Sequence, residues 1–182
     1  MAGSTQDMTD RPGFRQLVDW RAAILSGLFA GVAFFLLQMA LTALLLGSPW
    51  VFARMTAAMV LGRGVLPPPA TFDLGIVATA FALHMVLSLA YASLIAYVIH
   101  RGGLVIGVVG GAALGLALYA INYWTFAHWF TWFLDLKSGI ALLSHIVFGA
   151  LAGGLYELLE VERFEPVAPG PAAVPPPIGA GS

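Results

Sequence analysis

Cysteine is absent from the 182 residues, and charge is scarce: Asp, Glu, Lys and Arg together make up 9% of the chain. The first absence excludes a disulfide framework, thiolate chemistry and any cysteine-held metal or iron–sulfur cluster. The second excludes a water-facing globule, because soluble domains carry about 25% charged residues. The 8 basic residues are scattered and build no patch that could follow a phosphate backbone, so nucleic acid is excluded as a partner. There is no Gly-rich phosphate loop, no zinc-spaced His pair with a Glu and no serine-hydrolase elbow. The sequence assigns no catalytic and no metal-binding residue, and the chain reads as non-enzymatic.

Apolar residue is what the chain has instead: 60% of positions, with a mean hydropathy of +0.90. It is gathered into four runs. Residues 22–46 hold no Asp, Glu, Lys, Arg or His, 74–99 only His84, 104–125 none, and 138–158 only His145 and Glu157. At about 1.5 Å per helical residue, roughly 20 residues cover the ~30 Å hydrocarbon core, and a helix pairs all its backbone groups within one segment. The expected fold is an all-α membrane protein, a bundle of four transmembrane helices whose partner is the lipid bilayer. The first run is too long for the apolar region of a cleavable signal, and it follows a polar leader, residues 1–21. Residues 160–182 are rich in Pro, Ala and Gly and read as a disordered tail.

Basic residues flanking the spans predict the orientation. Arg11, Arg15, Arg21, Arg101 and Arg163 fall on one side, and Arg54, Arg63 and Lys137 on the other. Both termini are therefore expected in the cytoplasm, with the longer loops outside.

The first loop, residues 47–73, predicts a short amphipathic helix over about 49–62 lying at the membrane surface or dipping into it. Ser48 caps it, Pro49 opens it, and Arg54 and Arg63 supply its polar positions. Gly62 and Gly64 end it, and Pro67, Pro68 and Pro69 make a stiff connector. In the loop before the fourth span, Phe126, Trp129, Phe130, Trp132 and Phe133 read as an interfacial aromatic anchor. Glu157, Glu160, Glu162 and Glu165 read as a solvated helical extension of the fourth span. His100 and His128, at span ends, are expected in water.

Within lipid, helices associate where small residues let backbones approach. Such stripes occur at Gly27 and Gly31, at Ala78 and Ala82, at Ser88, Ala92 and Ala96, at Gly107, Gly111 and Gly115, and at Gly149 and Gly153. They suit a compact bundle, and would equally suit a homo-oligomer or a larger membrane complex. Polar groups inside lipid are costly and mark function by default. The candidate cluster is Gln38, His84, Ser88, Asn122 and His145, all in the half of the bilayer nearer the long loops. Three readings follow. The cluster specifies packing; it lines a path or cavity of a small carrier or channel subunit; or His84 and His145 supply the axial ligands of a b-type haem in a redox subunit. No cofactor is expected outside that last alternative.

The run from Ser48 to Asp73, with Pro49-Trp50, Arg54-Met55 and Val65 onward, resembles a family of small four-span bacterial inner-membrane proteins, sometimes labelled as transporters. So do the segments around His84–Arg101, Leu116–Phe133 and Ser144–Leu159. The resemblance covers about residues 20–160. It implies the four-span fold and a bacterial inner membrane, and it carries no catalytic residue. The leading expectation is an accessory or assembly component acting through packing and its loops.

Overall fold

The computed structural model describes residues 14–167. In chain order these form β1 (Phe14–Leu17), α1 (Trp20–Leu46), α2 (Trp50–Leu61), α3 (Leu74–Ile99), α4 (Gly103–Trp124), α5 (Gly139–Leu159) and β2 (Arg163–Pro166). Short 3-10 turns lie at Arg63–Val65, Phe126–His128 and Thr131–Leu136. Helices α1, α3, α4 and α5 are long and apolar enough to cross a membrane. The fold is the all-α bundle with four spans, and the chain is an integral membrane protein.

The outward faces show why lipid suits it. Leu44 is 81% exposed, Val105 75% and Val109 64%, so the outside of the bundle is as apolar as its inside. What faces inward is small. A Cβ on Gly27 would lie 2.8 Å from Ala92 Cβ, and one on Gly31 would lie 2.7 Å from Ser88 Cβ, which sets α1 antiparallel against α3. Between α4 and α5 the backbones themselves meet: a Cβ on Gly111 would strike the Gly149 carbonyl, and one on Gly115 the His145 carbonyl. The glycine stripes are therefore used within one chain. The alanine pair is different: Ala78 and Ala82 are exposed, and α3 turns Ala80, His84, Ser88 and Ala92 inward instead.

Asp19 joins the two ends of the bundle. Its Oδ1 accepts the N–H groups of Arg21 (3.0 Å) and Ala22 (3.2 Å), capping α1 where the helix dipole favours an anion. Its Oδ2 accepts the Val161 N–H at 3.1 Å, and its own N–H donates to the Tyr156 hydroxyl at 3.1 Å. This cap starts α1 at Trp20, ahead of the apolar run.

The short helix expected in the first loop is present as α2, and it is packed inside the protein instead of showing a polar face. From Val51 to Ala58 each residue of α2 is buried, Arg54 among them at 8% exposure. The reason is the connector that follows. Arg54 Nε donates to the Thr71 carbonyl (2.9 Å), Nη1 to the Val65 carbonyl (3.2 Å) and Nη2 to the Thr71 hydroxyl (3.2 Å). The guanidinium fork thus satisfies itself inside the loop, and the helix has no polar face left to present to water. Ser48 accepts the Trp50 N–H (3.3 Å) and donates to the Ala70 carbonyl (2.7 Å), so the hydroxyl does serve the helix start while also holding the connector. Gly47 and Gly62 end α1 and α2 at φ 75° and 83°, a region open to glycine.

The flanks of the bundle also differ from expectation. β1 and β2 pair antiparallel, Phe14 opposite Pro166 and Leu17 opposite Arg163, with Arg15 and Glu165 3.8 Å apart. The leader and tail thus contain a two-stranded ribbon. Helix α5 ends at Leu159, so Glu162 and Glu165 lie in extended chain and not in a helical extension. The remaining residues of the expected leader and tail, 1–13 and 168–182, lie outside the described residues.

Candidate functional site

A cavity of about 140 Å³ opens among the four spans at the end where α1 finishes and α5 begins. Each span contributes a polar residue to it: Gln38 from α1, His84 and Ser88 from α3, Asn122 from α4 and His145 from α5. The five cluster residues are thus brought to one space. Helix α2 covers it with Phe52, Thr56 and Met59, and the loop before α5 with Phe126, Phe130 and Phe133.

Two hydrogen-bonded groups line it, and beside them stand Thr56 and Gln38. His145 Nδ1 donates to the Ala141 carbonyl at 2.7 Å, which leaves Nε2 as an acceptor for the Asn122 amide N–H at 3.0 Å. With its nitrogen so engaged, Asn122 turns its Oδ1 to the Tyr91 hydroxyl, 3.0 Å away. A carbonyl can only accept, so each proton in this chain from α3 through α4 to α5 has one place. In the second group His84 Nε2 donates to the Gly31 carbonyl at 3.0 Å, with Ser88 Oγ 3.2 Å from the same nitrogen, tying α3 to α1.

Thr56 is 4% exposed, and its Oγ1 is buried with no hydrogen-bond partner among the described residues; Gln38 is 8% exposed, and its amide is not among such buried unpartnered groups. A buried polar group left without a partner costs about 1–3 kcal/mol. Thr56 does not bond back to the preceding turn of its own helix, the usual resort of a mid-helix threonine.

The two imidazoles do not face one another across an open gap. The Phe34 ring stacks on His84 (centroids 5.3 Å apart, planes at 20°) and meets His145 edge-on (5.1 Å, 81°). Both Nε2 atoms are already hydrogen-bonded, and a phenyl ring touches both imidazoles. The pair as arranged does not fit a haem between two axial ligands. Among the described residues there is no cluster of three His, Asp or Glu able to hold a metal.

The cover is fastened at three points. Trp132 Nε1 donates to the Met55 carbonyl at 3.0 Å, Arg63 Nη2 to the Thr131 hydroxyl at 3.0 Å, and Arg54 grips the connector. In the aromatic loop Trp132 binds α2, while Trp129 stays 68% exposed and Lys137 Nζ rests 4.0 Å from the Trp124 ring.

Sequence reasoning missed Tyr91, Thr56 and Phe34. Tyr91 was within reach, since 84, 88 and 91 fall on one helical face and its ring end needs a partner when buried. Thr56 was hidden by the reading of α2 as a surface helix, and Phe34 looked like any lipid-facing phenylalanine. No family profile, no curated protein and no solved structure matches this chain.

Proposed function

We propose that the protein is a non-enzymatic accessory component of a bacterial inner membrane that works by holding a small molecule in its interhelical cavity. One observation carries the reading: Thr56 Oγ1 is buried at a cavity wall with no hydrogen-bond partner among the described residues, and Gln38 brings an amide to the same cavity. Purely structural polar residues find partners, as Tyr91, Asn122 and His145 do here. Bacterial origin rests on the resemblance of the Ser48–Asp73 run. The excess of arginines beside the termini supports a cytoplasmic location for both, which opens the cavity toward the periplasmic half.

Passage through the membrane has less support. The polar residues gather at the loop end, while at the other end Gly107 and Gly153 stand so close that a Cβ on Gly107 would lie 2.8 Å from the Gly153 carbonyl oxygen. A haem subunit has less still, given the ring of Phe34 against both histidines.

The test is purification in mild detergent followed by extraction and mass analysis. Wild-type protein should carry a small molecule that the cavity-filling variant Ala127→Leu lacks, with helical content equal in both. An empty extract from both proteins, with no small molecule binding saturably to the purified wild type, would end the proposal.

A further inference from the structure

We infer that the cavity takes a neutral six-membered ring bearing one or two oxygen substituents, as in a phenol or a simple quinone ring; this rests on the ligand-holding reading above.

Size comes first. A cavity of about 140 Å³ matches engineered apolar cavities of ~150 Å³ that accept benzene. A single ring fits in that space.

Charge comes second. Among the described residues, no Asp, Glu, Lys or Arg lines the cavity. A carboxylate or ammonium brought there would lose its water and find no opposite charge, so a charged ligand is rejected. Arg54, the nearest buried cation in sequence to Thr56, spends its donors on Thr71 and Val65.

The walls argue for a flat ligand. Phe34, Phe52, Phe130, Phe133 and Phe148 come from α1, α2, the loop and α5, and Phe34 already meets Phe148 edge-on at 5.9 Å and 86°. Rings packed at such angles offer edges and faces to another ring.

Thr56 and Gln38 set the polarity. Gln38 brings an amide with both a donor and an acceptor, and Thr56 a hydroxyl that serves as either. A ring oxygen would satisfy them, whereas a plain hydrocarbon would fill the space and leave the Thr56 hydroxyl unpaired. Sites built to bond a ligand oxygen discriminate strongly against analogues lacking it.

Ligand-observed NMR on the detergent-solubilised protein tests this with phenol, toluene and benzoate. Only the signal lost in Ala127→Leu counts as cavity binding, which removes partition into the micelle. Phenol should bind saturably, and Thr56→Val and Gln38→Leu should each weaken it about tenfold, equivalent to one buried hydrogen bond. Toluene should be indifferent to both substitutions, and benzoate should bind at least about tenfold more weakly than phenol. Should Gln38→Leu fail to fold, Thr56→Val, which keeps its shape, decides alone. Phenol insensitive to Thr56→Val, or benzoate as tight as phenol, would overturn the ligand class. If the wild type still carries an extractable molecule in that case, the ligand-holding reading survives. If nothing is extracted and nothing binds, both fall.

Discussion

Asn122 Nδ2 stands 3.0 Å from His145 Nε2, and the oxygen of the same amide takes the Tyr91 hydroxyl at 3.0 Å. One side chain on α4 therefore speaks to α3 and α5 at once. Because the His145 proton is held on Nδ1 by the Ala141 carbonyl at 2.7 Å, the amide has only one orientation that serves both neighbours.

That relation predicts coupling. In a double-mutant cycle, Asn122→Ala and His145→Ala should be non-additive by about 0.6–1.7 kcal/mol, the range found for interhelical hydrogen bonds in membranes. Unfolding in mixed micelles with rising denaturing detergent would measure it. Strict additivity would mean that the bond is not made in the folded protein.

The glycine contacts predict a sharp contrast. Gly111→Ala puts a methyl group into the Gly149 carbonyl, a backbone atom that cannot rotate aside, and should cost about 1–3 kcal/mol or force α4 off α5. At Gly64, where no atom lies within 4 Å of the added Cβ, the same change should be neutral. Equal thermal midpoints for the two variants would refute the packing described for α4 and α5.

Arg54→Lys should loosen the connector. An ammonium cannot span the Thr71 and Val65 carbonyls and the Thr71 hydroxyl as the planar fork does. Deuterium exchange over residues 63–73 should accelerate while the cores of α3 and α5 stay protected. Unchanged exchange there would show that the clamp is dispensable.

Much of this arrangement could be read in advance from residue chemistry. The missing charge located the spans, since lipid demands long uncharged helices, and the five polar cluster residues do share one space. The burial of α2 could not be read, because two of the three partners of Arg54 are the backbone carbonyls of Thr71 and Val65, and a carbonyl has no letter in a sequence. For the same reason Gly31 gave no sign of being the acceptor for His84. The ribbon of β1 and β2 was masked by length: four residues on each side carry too little pattern to distinguish pairing from coil.

The absence of cysteine makes orientation directly measurable. A single cysteine at Gly64, in the exposed turn after α2, should react with a membrane-impermeant maleimide in intact cells. One at Arg101, in the turn between α3 and α4, should react only after the membrane is opened. The reverse pattern would place both termini outside.

The burial of α2 has a consequence for how the protein comes to exist. Twelve residues rise about 18 Å, too little to cross the hydrocarbon core unaided. A helix this short gains its packing only once its neighbours surround it, so α2 is expected to settle after the four long helices are in place. The step that finishes biosynthesis is then the same step that puts a roof on the interior, and anything captured there during maturation is enclosed by it. Protease protection of the first loop, followed through synthesis, should therefore appear only after α5 has left the ribosome.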